Sequence, residues 1–140
     1  MQKLIGRSFG QYRIDKVLGA GGMGTVFLAY DEKLDRRVAL KVLSPTLSGD
    51  DAFIERFNRE AKFLAAIAHP NLVHVYAIER TEDGYHYMAM EYLEGISLDL
   101  RIVRNPPLPL DEAFRITGQV LSALSAVDRK STRLNSSPVS

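Results

Sequence analysis

The N-terminal part of the chain alternates between apolar and polar positions in a way that predicts β-strands. Residues 12–18 alternate imperfectly, and residues 25–30, which read TVFLAY, are β-branched and aromatic. A third short apolar run, residues 37–43, ends at a Ser-Pro pair. The sequence therefore predicts three successive strands, the first two joined by a turn that holds four glycines within six residues.

Apolar positions change to helical spacing after residue 50. They recur every three or four residues, which predicts an amphipathic helix that ends at His69-Pro70-Asn71. The repeating positions are Phe53, Phe57, Ala61, Leu64 and Ala68. Two further strand-like runs, residues 72–78 and 85–92, flank a Thr-Glu-Asp-Gly turn and predict a β-hairpin.

Helical patterns fill the remainder of the chain. A short segment at residues 97–103 precedes a proline-rich break at 106–109, and a strong helical pattern runs from Asp111 to about Val127. The order of elements is three strands, one helix, two strands and then further helices.

Composition narrows the classes of protein that the chain can represent. With 46% hydrophobic and 25% charged residues, its 140 residues are typical of one soluble globular domain or part of one. The net charge of +1 gives no reason to expect a nucleic-acid or anionic-membrane partner. The chain has no cysteine, and its three scattered histidines predict no metal site. No run approaches the roughly 18 apolar residues of a membrane span, so we expect no membrane segment and a cytoplasmic location.

The glycine-rich turn, LGAGGMGTV from Leu18 to Val26, has several interpretations. Glycines of this kind also occur in ordinary hairpin turns. In a dinucleotide-binding unit the last glycine opens a helix, whereas a strand follows here, and a Walker loop requires a lysine after the last glycine. A hairpin that lies over a ligand remains, because absent side chains let backbone N–H groups approach phosphates closely.

Two charged residues fall where apolar residues are expected. Lys41 shares one face of the third strand with Ala39, and Glu60 follows Phe57 by three residues, on the helical stripe that should face the sheet. Because buried unpaired charges are costly, we predict that Lys41 and Glu60 pair and that Lys41 also reaches an anion under the glycines. Alternatively, Lys41 extends to solvent and Glu60 lies on the flank of the helix.

In combination, these motifs resemble the N-terminal lobe of a protein kinase, and closely that of a bacterial serine/threonine kinase. The matching segments are the loop 18–26, Val38-Ala39-Leu40-Lys41, Phe57-Asn58-Arg59-Glu60-Ala61, His69-Pro70-Asn71-Leu72-Val73 and the hinge-like Met90-Glu91-Tyr92-Leu93-Glu94-Gly95. Their order and spacing over about residues 12–127 make the resemblance specific. It implies an α+β fold with a five-stranded antiparallel sheet and an αC helix, followed by the first helices, αD and αE, of a helical C-terminal lobe.

The resemblance also implies roles for the residues of these motifs. Gly19, Gly21 and Gly24 would cover the phosphates of ATP. Lys41, paired with Glu60, would contact the α- and β-phosphates, and these two form the expected catalytic pair. The other residues implied to bind ATP are Leu18, Ala20, Gly22, Met23, Val26, Ala39, the gatekeeper Met90, and the backbone of Glu91 and Leu93.

Kinase chemistry further needs an aspartate that orients the substrate hydroxyl, and an asparagine and a second aspartate that hold Mg²⁺. These normally lie in His-Arg-Asp and Asp-Phe-Gly motifs, and neither string occurs in the 140 residues. We therefore expect an N-terminal extension at 1–11, the N-lobe and hinge at 12–95, and an incomplete start of the C-lobe at 96–127. The Mg²⁺ ligands would lie in the missing part of that lobe.

Two functions follow from this resemblance. The full-length parent would transfer the γ-phosphoryl group of ATP to Ser or Thr hydroxyls of protein substrates, while this chain alone would be inactive. The alternative is a non-catalytic, pseudokinase-like module that binds a nucleotide or a partner.

Residues 128–137, DRKSTRLNSS, resemble the translation of a common sequencing-library adapter through ten consecutive codons. We expect residues 128–140 to be an artefactual tail and exclude them from the fold prediction. A natural linker rich in Ser and Arg is the alternative. Finding these codons intact in the source DNA would contradict the adapter interpretation.

Overall fold

The structure, a computed structural model, describes residues 1–44, 46–47 and 49–136. It begins with a 3-10 turn at Gln2–Leu4. The strands are β1 (Ser8–Phe9), β2 (Tyr12–Gly21), β3 (Gly24–Asp31), β4 (Arg36–Leu43), β5 (Val75–Arg80) and β6 (His86–Glu91). The helices are α1 (Asp51–Ala65), α2 (Leu98–Arg104) and α3 (Leu110–Ser136).

The strands form one antiparallel sheet in the order β1-β2-β3-β4-β6-β5. The antiparallel sheet confirms the prediction, but the expected count of five strands is wrong. Ser8 and Phe9 add a sixth strand, in register with Arg13 and Tyr12 of β2. A strand of two residues is too short to show alternation, so it leaves no signal in the sequence.

Burial explains why the N-terminal residues join the sheet. Leu4 and Phe9 are at most 2% exposed and share a core with Tyr87 of β6. The rings of Phe9 and Tyr87 have their centroids 5.3 Å apart, and the Tyr87 hydroxyl donates a 2.8 Å hydrogen bond to Glu79 Oε2. Full burial of a phenylalanine contributes roughly 1.5–3 kcal/mol, which holds the first residues of the chain against the sheet.

Alternation along β4 divides the buried side chains between the two faces of the sheet. The even-numbered residues from Val38 to Val42 lie in one core, whereas Leu43 lies in a second core beside Phe57 of α1. Ala39 and Lys41 share the face of Leu43 because side chains in a strand alternate with a period of two. The two faces that the sequence predicted for this strand are therefore confirmed.

Helix α1 begins at a side-chain cap. Asp50 has an extended backbone, and its carboxylate accepts a 3.0 Å hydrogen bond from the Ala52 N–H. This bond satisfies one of the N–H groups that the first turn of a helix leaves unpaired. Phe57 and Ala61 are the buried residues of the helix, so this part of the predicted apolar stripe faces the sheet. The helix ends at Ala65, before the predicted stop at His69, and Ala68 of the predicted stripe is exposed beyond it.

A buried carboxylate organises the β3–β4 turn. Asp31 Oδ1 accepts hydrogen bonds from Gln11 Nε2 at 2.9 Å and from the backbone N–H groups of Lys33 and Leu34 at 3.0 Å. Burial alone would raise the pKa of Asp31, but these hydrogen bonds and the nearby Arg36 hold the pKa below its ordinary value. The carboxylate therefore stays charged and fixes the turn.

Contacts divide the chain into two units. Residues 1–66 and 73–93 form the first, which contains the sheet and α1, and residues 67–72 with those from Glu94 onward form the second. Within the second unit, His69 Nε2 lies 3.0 Å from Ser122 Oγ of α3. The Asn71 side-chain amide donates a 3.0 Å hydrogen bond to the Gln119 carbonyl. These bonds hold the segment 67–72 against α3.

Helix α3 is longer than the sequence predicted. The expected end near Val127 is wrong, because the helix continues through residues 128–136, a stretch that contains neither glycine nor proline. Residues 137–140 of the expected tail lie outside the described residues. In the ranges that the structure describes, no helix combines the length and the apolar content that a bilayer span requires.

Candidate functional site

The glycine-rich segment forms the tip of the β2–β3 hairpin. The register pairs Gly21 with Gly24 and Gly19 with Val26, so the hairpin turns at Gly22 and Met23. A side chain added at any of the first three glycines would meet no atom within 4 Å, which leaves their backbone open on one side. The tip is tied to β4 by a 3.3 Å hydrogen bond from the Ser44 N–H to the Met23 carbonyl.

Gly24 differs from the other glycines of the hairpin. Its φ of +150° is a conformation that residues with side chains rarely adopt. A Cβ atom at this position would overlap the carbonyl oxygen of Val42 in the neighbouring strand β4. Glycine is therefore required here so that the hairpin can lie against β4.

A cavity of about 420 Å³ lies beneath the hairpin. The residues that line it are Gly19, Ala20, Gly21, Gly22, Met23, Gly24, Val26 and Lys41. Lys41 is the one charged residue among them, and it lies directly across from Val26 in the β3–β4 register. The structure thus brings the predicted loop and the predicted lysine together around one opening.

Three of the residues expected near adenine, Val26, Ala39 and Met90, lie on the same face of the sheet as Lys41. Val26 pairs with Lys41, and Ala39 pairs with Met90 of β6, and partners across a sheet point to the same side. Leu18 falls at an irregularity in the β2–β3 register between Val17 and Gly19, where a bulge redirects a side chain, and it is 42% exposed. Of these residues, Val26 also lines the cavity.

The hinge-like segment is anchored at Glu91. Its backbone N–H donates a 2.8 Å hydrogen bond to the His74 carbonyl, and its carboxylate accepts a 3.2 Å bond from the His74 N–H. Both groups are therefore used to hold the end of β6 in place. Leu93, two residues further on, is 60% exposed. The sequence contained no signal for the role of His74.

The expected ion pair between Lys41 and Glu60 is not formed. Glu60 Oε1 lies 3.0 Å from Arg56 Nε, one helical turn earlier, and the Glu60 side chain is 57% exposed. Across the described residues, no carboxylate lies within the 4.0 Å that defines an ion pair with Lys41. The predicted burial of Glu60 is wrong, because Phe57 and Ala61 occupy the centre of the buried face and leave Glu60 on its flank.

The cavity fits a polyphosphate better than it fits a metal ion. An ammonium group and open backbone N–H groups are ligands for anionic oxygens. In the described part of the chain, no group of three or more His, Cys, Asp or Glu residues is arranged to hold a metal.

Comparison with known proteins relates this geometry to a family. The family model described as "Protein kinase domain" matches residues 12–131. The chain is 44% identical over 123 residues to the serine/threonine-protein kinase PrkC of Bacillus subtilis, an alignment that covers 87% of this chain and 19% of PrkC. It is 44% identical over 115 residues to the serine/threonine-protein kinase pkn3 of Myxococcus xanthus, covering 82% of this chain and 21% of pkn3.

Solved structures agree with the sequence relatives. The crystal structure of the Mycobacterium tuberculosis PknI kinase domain superposes with a TM-score of 0.76 at 33% identity, covering 89% of this chain and 50% of that one. The chain thus spans about a fifth of its curated relatives and about half of a solved kinase domain. The predicted kinase-like sheet with its helix is confirmed, and the chain belongs to the protein kinase family, among the bacterial serine/threonine kinases.

Proposed function

We propose that the cavity under the β2–β3 hairpin binds the phosphates of ATP. The observation that carries this proposal is that Lys41, without a carboxylate partner among the described residues, lines the same opening as the glycine-rich backbone. A polyphosphate would neutralise the ammonium group and accept hydrogen bonds from the backbone. Gly24 lets the hairpin lie close against β4, because a Cβ atom at this position would overlap the Val42 carbonyl oxygen.

The adenine ring of the nucleotide would lie next to the cavity, on the same face of the sheet. Val26 and Ala39 would contact its faces, and Leu18 would cover it from the bulge in β2. Met90, across from Ala39, would limit the depth of the pocket as a gatekeeper. The backbone of Glu91 and Leu93 would bond the edge of the ring.

We further propose that the full-length parent transfers the γ-phosphoryl group of ATP to Ser or Thr hydroxyls of proteins, since its relatives are named serine/threonine-protein kinases. Bound Mg²⁺ would neutralise phosphate charge in that reaction. The role of this chain's own residues is to bind and orient the nucleotide. Because the chain holds neither an Asp-Phe-Gly nor a His-Arg-Asp string, the 140 residues alone would act as a non-catalytic nucleotide-binding module.

Replacement of Lys41 tests the proposed site. We expect the chain to bind a fluorescent ATP analogue weakly and Lys41→Met to lower the affinity at least fivefold, because one charge-assisted contact to phosphate is lost. Lys33→Met, in the exposed turn at the opposite end of β3, is the matched control and should bind normally. Equal affinities for the three proteins would contradict the proposal.

Labelled ATP tests the proposed inactivity. We expect no phosphate to be incorporated into the chain or into an added protein substrate in the presence of Mg²⁺. Incorporation that disappears in Lys41→Met would show that the 140 residues are catalytic by themselves.

A further inference from the structure

Tyr92 is the first residue of the hinge-like segment that lies beyond the sheet. The register between β4 and β6 ends at the pair of Val38 and Glu91, so the backbone that follows Glu91 lies outside it. The Tyr92 ring is partly buried, and the guanidinium carbon of Arg37 lies over it, 5.2 Å from the ring centroid. A guanidinium within about 6 Å of an aromatic ring is attracted to its face, so this contact ties the segment to β4.

Strand geometry explains why these two side chains meet. Ala39 of β4 pairs with Met90 of β6 in an antiparallel register. Arg37 precedes Ala39 by two residues and Tyr92 follows Met90 by two, and side chains two positions apart on a strand share a face. The contact between Arg37 and Tyr92 therefore lies on the face of the sheet where the adenine ring is proposed to bind.

We propose that Arg37 is a positioning residue for the adenine ring and acts through Tyr92 on the backbone of the hinge-like segment. The inference rests on the proposed function, because the backbone of Glu91 and Leu93, on either side of Tyr92, is proposed to bond the edge of the ring. Holding Tyr92 against β4 orders this backbone before the nucleotide binds, which lowers the conformational entropy lost on binding. The residues that line the phosphate cavity do not include this segment, so the affinity for phosphate does not depend on the contact.

The sheet contains a matched control pair. The guanidinium carbon of Arg13 in β2 lies 5.2 Å from the centroid of the Tyr30 ring, the same distance as in the pair of Arg37 and Tyr92. Both arginines are exposed, and β3 separates β2 from β4 in the sheet. Arg13→Gln therefore removes the same charge and the same kind of contact away from the hinge-like segment.

Displacement of a fluorescent ATP analogue from the full 140-residue chain, without added metal, tests the inference with two competitors, ATP and inorganic tripolyphosphate. Tyr92→Leu and Arg37→Gln should each weaken ATP binding about threefold, as expected for the loss of one exposed cation–π contact. Neither should change the affinity for tripolyphosphate, which has no adenine. Tyr92→Phe, which keeps the ring, should restore the ATP affinity that Tyr92→Leu loses. In the Tyr92→Leu background, Arg37→Gln should have no further effect, because both substitutions remove the same contact.

The possible outcomes separate this inference from the proposed function. If Lys41→Met weakens both competitors but Tyr92→Leu or Arg37→Gln leaves ATP binding unchanged, the phosphate site stands and the role of Arg37 is refuted. Equal losses for ATP and tripolyphosphate in Tyr92→Leu, or a loss of ATP affinity in Arg13→Gln, would show a general effect on the fold or its charge and would also refute it. If Lys41→Met has no effect, the proposed function itself fails.

Discussion

Gly24 is the position of the hairpin where adding a single methyl group would lower the stability of the fold most. Its φ of +150° disfavours a side chain, and the neighbouring carbonyl of Val42 occupies the space that a Cβ atom would need. Because the obstacle is backbone of a central strand, it cannot move aside as a flexible side chain would.

We therefore expect Gly24→Ala to lower the free energy of unfolding by about 3 kcal/mol, from backbone strain and steric overlap. Gly22→Ala, two residues earlier, meets no atom within 4 Å and should change stability by at most about 0.5 kcal/mol. Urea denaturation followed by circular dichroism measures both. Equal midpoints for the two variants would show that the hairpin does not pack on β4 as described.

Asp31 makes the stability of the fold depend on pH. The pKa of Asp31 is lower in the folded chain than the ordinary 3.8. Its contribution to the free energy of unfolding is therefore fully present above pH 3.8 and is lost as the pH falls through the folded pKa. At pH 7, Asp31→Asn should reduce the free energy of unfolding by about 1–3 kcal/mol, because buried donors lose a charged acceptor. Below pH 3.8 the difference from the native chain should shrink.

Urea denaturation at pH 7 and at several values below 4 checks this dependence. Asp35→Asn is the control, because this exposed residue lies in the same turn with a φ of 54°, which asparagine tolerates. A difference for Asp31→Asn that stays constant down to the lowest pH would contradict the assignment.

At the residue scale, the periodicity of the sequence was enough to predict on which face of a strand a residue lies. It was not enough to predict which side chains pair, because pairing depends on three-dimensional distances. The alternation in β4 placed Lys41 on the correct face. The helical spacing placed Glu60 near the buried face, but spacing cannot tell the centre of that face from its flank. Whether Glu60 pairs with Arg56 or with Lys41 depends on distances between side chains that a sequence pattern does not contain.

Helix α1 shows how one capping residue supports a whole element. The Asp50 carboxylate accepts the Ala52 N–H, and loss of such a cap typically costs about 1 kcal/mol. Asp50→Ala should lower the free energy of unfolding by about that amount. Asp51→Ala removes a neighbouring negative charge but no capping bond, and we expect a loss of only a few tenths of a kcal/mol from the helix dipole. Urea midpoints distinguish them, and a reversed order would contradict the cap.

Element boundaries followed from the sequence to different degrees. Strand β4 was predicted with nearly its observed limits, whereas α1 ends at Ala65, before the predicted stop at His69. The sixth strand, β1, was missed because its stability comes from the burial of Phe9 and from pairing with β2, which are tertiary effects. Helix α3 was predicted to end too early because residues 128–136 had been set aside on grounds unrelated to helix propensity.

At the scale of the whole molecule, α3 exposes an apolar surface. The side chains that are more than half exposed on this helix include Leu110, Phe114, Val120, Leu121, Leu124 and Leu134. Contiguous apolar surface of this kind promotes association. We expect the chain to self-associate at micromolar concentrations.

The triple variant Phe114→Gln, Leu121→Gln, Leu124→Gln should shift the chain toward monomer in light scattering after size-exclusion chromatography. Leu34→Gln, at an isolated exposed apolar residue in the β3–β4 turn, should not. A native chain that is monomeric and unfolds in one cooperative thermal transition would contradict this expectation.

The two faces of β4 have a consequence for how such a protein can change over time. Val38, Leu40 and Val42, which lie in one core, alternate along β4 with Lys41, which lines the proposed site on the opposite face. A substitution at Lys41 can therefore remove a function without disturbing Leu40 or Val42. A lineage could therefore lose the proposed nucleotide site while the fold persists, and the remaining fold would stay available for another function.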